Sequence, residues 1–142
     1  MINRIARFQG TAGTRVLIAP NPSRCRTRRE SLRCALQGLR EAWRTQPNLR
    51  VQLYVAAVVI GVGVWVHLAL IEWLWVSFAI GLVVFTELMN TAIERTVDLV
   101  VGLRPDPLAR AIKDVAAGCV LVAAVLAIVI GILTFLPHLW RA

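Results

Sequence analysis

Two long stretches of this 142-residue chain contain no Lys or Arg. They run from residue 51 to residue 94 and from residue 115 to residue 140. The chain as a whole is 58% hydrophobic and has a mean hydropathy of +0.67. Soluble domains of this size are rarely so apolar, whereas helices that cross a membrane must be. The pattern predicts a single small all-α membrane protein.

The apolar stretches are long enough for three transmembrane helices. We expect spans at about residues 51–70, 71–94 and 115–136. The last of them should end at Pro137, because proline interrupts a helix. Ala117, Ala124 and Gly131 recur every seven residues in this span, which predicts a small-residue face for close helix packing.

Residues 31–46 predict an amphipathic helix ahead of the first span, with Ser31 as its N-cap. Leu and Trp residues fall on one face and Arg residues on the other. This arrangement is typical of a helix that lies in the membrane interface, and packing against a soluble core is the alternative. The three cysteines form no CxxC pair, and we expect them to be reduced.

Positive charge is concentrated at the start of the chain. Residues 1–50 hold eleven of the sixteen basic groups, all of them Arg. We expect residues 1–30 to form a basic, flexible arm against anionic lipid headgroups, and we do not expect nucleic-acid binding. Arg and Lys also occur in the 95–113 loop but not in the 67–72 link. This asymmetry predicts a multi-pass membrane protein with a cytoplasmic N-terminus and an external C-terminus.

A row of polar residues ends the second apolar stretch, in the run ELMNTAIERTVD. At about 100° per helical residue these residues share one sector of roughly 100°. Acidic groups near hydrocarbon are costly and usually functional. The predicted topology also brings a Lys–Asp pair to the same cytoplasmic boundary. The row consists of Glu87, Asn90, Thr91, Glu94 and Asp98. The Lys–Asp pair consists of Lys113 and Asp114.

These groups are the parts that phosphoryl transfer needs. Glu94 can hold Mg²⁺, Glu87 can accept a proton from a lipid hydroxyl, and Lys113 can neutralise phosphate charge. Asp114 can orient Lys113 or hold a second metal ion. The sequence contains neither a P-loop nor a protein-kinase signature, so a nucleotide would bind at the helix ends. The alternative is a small oligomeric proton-coupled transporter that uses Glu87, which leaves the other polar groups without a role.

Two motifs resemble those of the small prokaryotic diacylglycerol kinase family, which includes the undecaprenol kinases. The first is ELMNTAIERTVD, residues 87–98, and the second is AIKDVAAG, residues 111–118. The resemblance covers about residues 31–137. It implies an ATP- and Mg²⁺-dependent lipid kinase with three transmembrane helices and a surface helix per subunit, working as a homotrimer.

The resemblance also implies a role for each site residue. Glu87 resembles the catalytic base that meets the lipid, and Glu94 a ligand of the metal and nucleotide. The others resemble nucleotide contacts (Lys113 and Asp114), site-shaping residues (Asn90 and Asp98) and a lipid contact (Trp65).

Gln46 departs from the family pattern. Many members have a Glu here that supplies a second metal carboxylate, whereas Gln offers only a carbonyl oxygen. We expect Gln46 still to face the metal. The resemblance also implies a bacterial inner-membrane location and an undecaprenol or a diacylglycerol as the substrate. The resemblance to the undecaprenol branch is somewhat closer.

Overall fold

The structure is a computed structural model that describes residues 27–102 and 104–140. It contains four helices, α1 (Arg28–Thr45), α2 (Pro47–Trp65), α3 (Leu70–Val101) and α4 (Pro107–Leu139). The last three are long and apolar enough to cross a membrane, as predicted, and helix is the only regular secondary structure of the described residues. The chain divides into two compact units, with the boundary inside α1 between Gln37 and Gly38. The predicted arm lies almost wholly outside the described residues.

Helix α1 begins three residues before the predicted N-cap, Ser31. The backbone N–H of Thr27 donates to Glu30 Oε2 (3.0 Å), and the N–H of Glu30 donates to Thr27 Oγ1 (3.2 Å). This reciprocal pair is a capping box, which satisfies two N–H groups that a helix start leaves free. The sequence T-x-x-E carried this signal, and the prediction for Ser31 was therefore wrong.

The expectation that all three cysteines are reduced was also wrong. Cys34 is disulfide-bonded, whereas Cys119 is a free, exposed thiol. No CxxC spacing marks this pairing in the sequence, which is why the pattern did not reveal it.

Pro47 is the first residue of α2. Proline lacks a backbone N–H and has a helical φ, so it suits the first position of a helix. It also disfavours helical backbone in the residue before it. Gln46 accordingly has extended backbone (φ −106°, ψ 105°) and separates the two helices as a single non-helical residue.

A tight turn joins α2 to α3. His67 has left-handed backbone (φ 55°). The N–H of Leu68 donates to Gly63 O (3.1 Å) and that of His67 to Val64 O (3.2 Å), as in a Schellman motif. A Cβ at Gly63 would lie 2.9 Å from the Leu68 side chain and 3.0 Å from that of Trp73, so a larger residue would require these side chains to shift.

Gly102 ends α3 with φ 65° and ψ −136°, a backbone conformation that strains any residue with a Cβ. Helix α4 then begins at Pro107, with Asp106 as its N-cap. One carboxylate oxygen of Asp106 accepts the N–H groups of Leu108 (2.7 Å) and Ala109 (3.0 Å). The helix continues through Pro137 to Leu139, contrary to expectation. Pro137 removes a hydrogen bond only from the last turn, where its cost is small.

Small residues lie at the helix contacts of this unit. Helix α3 packs most extensively against α4 and less against α2. On α4 the buried small residues are Ala116 (5% exposed) and Ala123 (2%). The predicted stripe of Ala117, Ala124 and Gly131 is therefore offset by one residue. Ala124 and Gly131 instead line a groove of about 270 Å³ between α2, α3 and α4.

A polar contact joins α3 and α4 at the end near the α2–α3 turn. His138 Nε2 lies 3.5 Å from Glu72 Oε2, and His138 Nδ1 is 3.1 Å from Thr134 O. Glu72 Oε2 also accepts the backbone N–H of Ala69 (2.7 Å) at the start of α3. The row of polar residues from Glu87 to Asp98, called the acidic row below, lies near the opposite end of α3.

Candidate active site

Glu87 is the most deeply buried acid of the described residues, with 3% of its surface exposed. It lies on α3 one turn before Thr91, whose hydroxyl donates to the Glu87 carbonyl (3.0 Å). Burying a carboxylate is unfavourable unless hydrogen bonds or charges compensate for lost water. Its position therefore requires a donor from a neighbouring element.

Gln52 on α2 provides that donor. Its Nε2 donates to Glu87 Oε2 at 3.1 Å, across 35 residues of sequence. The carbonyl oxygen of the same amide, Oε1, is buried, and no donor reaches it among the described residues. Gln52 is not among the site residues that the sequence pattern predicts. The available signal was an amide near the start of an apolar helix, where polar side chains are rare.

Asn90 and Glu94 form a second pair one turn further along α3. Asn90 Nδ2 donates to Glu94 Oε1 at 3.0 Å, and both residues are half-buried. Asn90 Oδ1 is buried and has no donor within the described part of the chain. Carboxylate and amide oxygens of this kind suit Mg²⁺. Residues 27–102 and 104–140 contain no group of three Asp, Glu, His or Cys side chains for a metal ion, so other oxygen ligands would be needed.

The end of α3 meets the start of α4 through an ion pair. Lys113 Nζ donates to Asp98 Oδ1. Asp114 points to a different partner, Arg110, with Nε and Oδ2 3.8 Å apart and both side chains well exposed. Exposed pairs at this spacing contribute little to stability. Asp98 and Lys113 are therefore bonded to each other, whereas the neighbouring Asp114 has an exposed side chain.

Gln46 is half-buried at the break between α1 and α2. It makes no side-chain capping bond to α2. The preceding residue, Thr45, accepts a hydrogen bond from Arg95 Nη2 at 2.6 Å. Because Arg95 follows Glu94 directly, this bond joins the helix break to the same turn of α3. Among the described residues no hydrogen bond joins Gln46 to Glu94, and the metal role of Gln46 stays a prediction.

Trp65 is not brought to the acidic row. It is 74% exposed and ends α2, thirteen residues after Gln52, a separation of about 20 Å along a helix. It therefore lies near the α2–α3 turn. Its predicted contact with lipid remains a prediction, and such a contact would not involve the Glu87 carboxylate.

The groove between α2, α3 and α4 begins beside the Gln52–Glu87 pair. Gln52 is the one lining residue with an amide among those described, and the others are apolar or Gly. On α2 the lining extends to Val59 and on α3 back to Val76. The groove therefore runs from Gln52 toward the end where α2 turns into α3.

Comparison with known proteins identifies the family. The sequence model of prokaryotic diacylglycerol kinases matches residues 33–135. The chain belongs to this family. It is 45% identical to the undecaprenol kinase of Bacillus subtilis (strain 168), over 72% of this chain and 83% of that protein. It is 39% identical to a diacylglycerol kinase of Synechocystis, over 77% of this chain and 62% of that protein.

Membership makes this chain a lipid kinase. The matched region includes all four helices apart from the ends of α1 and α4. The acidic row and the Lys113–Asp114 pair both fall inside it. The transporter alternative is not favoured, because both relatives are named as kinases.

Proposed function

We propose that this kinase transfers the γ-phosphoryl group of ATP to the primary hydroxyl of a membrane lipid alcohol, with Mg²⁺, at the cytoplasmic membrane face. The buried Glu87 is the observation that carries this proposal. It lies where the apolar groove adjoins the polar row. A carboxylate in that position can take the hydroxyl proton of an alcohol whose chain lies in the groove.

Glu94 and Asn90 would hold the metal ion. The unpaired Asn90 Oδ1 and the Glu94 carboxylate supply two oxygen ligands, and Mg²⁺ commonly completes its shell with phosphate oxygens and water. When bound, the ion neutralises charge on the transferring phosphoryl group. Gln46 is the third ligand that we propose, since Thr45 is bonded to the turn of α3 that contains Glu94.

Lys113 and Asp114 would contact the nucleotide. Lys113 is half-buried and bonded to Asp98, which limits its freedom. A lysine held in place presents its charge to phosphate with less loss of entropy on binding. We assign Asp98 and Asn90 the task of shaping this polar surface.

We propose undecaprenol as the preferred alcohol and diacylglycerol as the competing one. Support comes from the greater identity to the undecaprenol kinase. The direction of the groove also favours a lipid, because an apolar chain running from Glu87 toward the α2–α3 turn would place its hydroxyl at the acidic residue.

We further propose a homotrimer in the bacterial inner membrane, with the N-terminus in the cytoplasm and the C-terminus outside. Three large apolar residues on α1 are about half exposed or more, as expected for a helix that lies on the membrane: Leu32, Leu36 and Leu39. Within the described residues one chain gathers too few metal ligands, which favours completion of the site by another subunit.

The test is a transfer assay with labelled ATP and the detergent-solubilised kinase. Undecaprenol and diacylglycerol are offered separately and then in competition. We expect label in the lipid only when Mg²⁺ is present, with undecaprenol consumed first. Equal or preferred use of diacylglycerol would overturn the substrate assignment, and transfer to no alcohol would overturn the kinase proposal.

A further inference from the structure

A hydrogen bond between distant side chains joins the break between α1 and α2 to helix α3. Arg95 Nη2 donates to Thr45 Oγ1 at 2.6 Å, across 50 residues of sequence. The same hydroxyl donates to the Glu41 carbonyl at 2.8 Å. Because it donates in one direction and accepts in another, the Thr45 side chain has a fixed rotamer and gives Arg95 a defined partner.

Arg95 bonds this neutral hydroxyl although an acid lies nearer in sequence. Asp98 follows Arg95 by three residues, a spacing at which an acid and a base on one helix commonly pair. Asp98 is bonded to Lys113 instead, and no ion pair of the described residues includes Arg95. Arg95 is exposed, so its bond competes with water and adds little to the free energy of unfolding. The bond acts mainly on geometry, because it limits where the last turn of α1 can lie relative to α3.

Gln46 is the residue whose position this bond controls. It follows Thr45 directly and is the single non-helical residue between α1 and α2. Its side chain makes no capping bond to α2, so capping does not set its direction. Glu94 directly precedes Arg95. The Arg95–Thr45 bond therefore joins the immediate neighbours of two proposed metal ligands.

We propose that Arg95 is a positioning residue: through Thr45 it holds Gln46 beside Glu94, so that both side chains can hold one magnesium ion. This inference rests on the proposed function and adds a residue to that site. A carboxylate at position 46 would be drawn to the metal by its charge, whereas a neutral amide is attracted less. A site with Gln46 therefore depends more on geometry that is set before the metal binds.

A ring contact holds the same turn of α1 against a different helix. The Trp43 and Tyr54 rings meet edge to face, with their centroids 6.1 Å apart, and Tyr54 belongs to α2. This contact does not involve α3. It should keep the end of α1 folded when the Arg95–Thr45 bond is removed, so variants of that bond can be measured in a folded kinase.

The test removes each partner of the bond in turn. Thr45→Val removes the hydroxyl, Thr45→Ser keeps it, and Arg95→Met removes the donor. Arg44→Met is the matched control, because Arg44 is exposed beside Thr45 and makes no ion pair among the described residues. It removes the same charge near the site and leaves the bond intact. The readouts are the thermal midpoint of the solubilised kinase and its Kd for a non-hydrolysable ATP analogue, with Mg²⁺ and with EDTA.

We expect Thr45→Val and Arg95→Met each to weaken binding with Mg²⁺ about threefold to tenfold, as for the loss of one hydrogen bond. Binding in EDTA should stay within about twofold, because no metal is then present for Gln46 to hold. Thr45→Ser and Arg44→Met should resemble the wild type in both conditions. The thermal midpoint should change little in all four variants, since the bond is exposed.

A double-mutant cycle determines whether Arg95 acts through Gln46. In the Gln46→Ala background, Arg95→Met should weaken magnesium-dependent binding no further, because no amide remains to be positioned. Losses that add in the double variant would show that Arg95 acts independently of Gln46 and would overturn the inference.

Direct contact between Arg95 and a phosphate would weaken binding equally with Mg²⁺ and with EDTA, and this result would overturn the inference. A lowered thermal midpoint with equal losses in both conditions would show a purely structural role and overturn it too. Wild-type binding by Thr45→Val would have the same consequence. The proposed function fails separately, when the wild-type kinase binds the magnesium–nucleotide complex and transfers phosphate to no lipid alcohol.

Discussion

Lys113 on α4 donates a hydrogen bond to Asp98 on α3, across the turn that Gly102 and Asp106 shape. The Lys113 side chain is 34% exposed and that of Asp98 62% exposed. A pair this accessible adds little to folding stability. Its value lies in holding the lysine at the end of the acidic row.

Asp98→Asn therefore tests positioning of the lysine. We expect nucleotide affinity to fall about threefold to tenfold, because the amide holds Lys113 less firmly, while the thermal midpoint changes little. Lys113→Met should weaken binding further. The measurement is a nucleotide titration of the solubilised kinase. Arg104→Gln, at an exposed position of the same loop, is the control. Equal losses in Asp98→Asn and Arg104→Gln would contradict a specific role for the Asp98–Lys113 bond.

Glu87 and Glu94 should be separable by kinetics. Glu87→Gln removes the base, and we expect kcat to fall by roughly 10²- to 10⁴-fold with nucleotide affinity retained. Glu94→Gln should weaken binding of the magnesium–nucleotide complex about tenfold or more. Steady-state kinetics and nucleotide titration distinguish the two. Loss of nucleotide affinity to the same extent in both variants would refute this division of roles.

Gln46 is open to a test in both directions. Gln46→Glu adds a carboxylate beside the proposed metal, so we expect a lower magnesium concentration at half-maximal activity. Gln46→Ala removes the carbonyl oxygen and should raise that concentration. The measurement is activity as a function of magnesium at fixed ATP. If both variants follow the wild-type curve, Gln46 does not face the metal.

Gly63 and Gly61 offer a matched pair on α2. A Cβ at Gly63 would meet Leu68 at 2.9 Å, whereas a Cβ at Gly61 meets nothing within 4 Å. We expect Gly63→Ala to destabilise the fold by about 1 kcal/mol or more through overpacking. Gly61→Ala should be neutral or stabilising, because alanine favours helix. Thermal unfolding measures both, and equal midpoints would show that Leu68 and Trp73 move aside at no cost.

The proposed orientation is tested by labelling introduced cysteines in intact cells, in a chain whose native cysteines are replaced by Ala. Ala69→Cys lies between α2 and α3, and Arg104→Cys lies between α3 and α4. We expect a membrane-impermeant maleimide to label only position 69, because the basic loop should be cytoplasmic. Labelling of position 104 alone would reverse the topology and remove the acidic row from the side that holds ATP.

Helix boundaries were predictable where the sequence contains a local signal. Pro47, Asp106 and the Thr27–Glu30 pair each specify a helix start through groups within three residues of one another. The predicted end of α4 was wrong because the effect of a proline depends on its distance from the end of the helix. Pro137 was expected to stop a helix, yet it lies so close to the end of α4 that it removes only one terminal hydrogen bond.

The small-residue face of α4 was predicted one position away from the buried one. Ala117 and Ala116 have the same chemistry, and a heptad spacing fits either register. The rotation of α4 against α3 selects Ala116 and Ala123. That rotation depends on the side chains of both helices together, so the spacing along one helix cannot define it.

The sequence by itself determined three apolar helices and the order of acids along α3, because hydrophobicity and helical spacing are local properties of the chain. The polar row and the paired motifs also identified the family that the comparisons confirmed. Tertiary structure alone decided that Gln52 meets Glu87 across 35 residues and that a groove opens beside them. Such contacts depend on how helices pack, since packing brings together groups that chain spacing keeps apart.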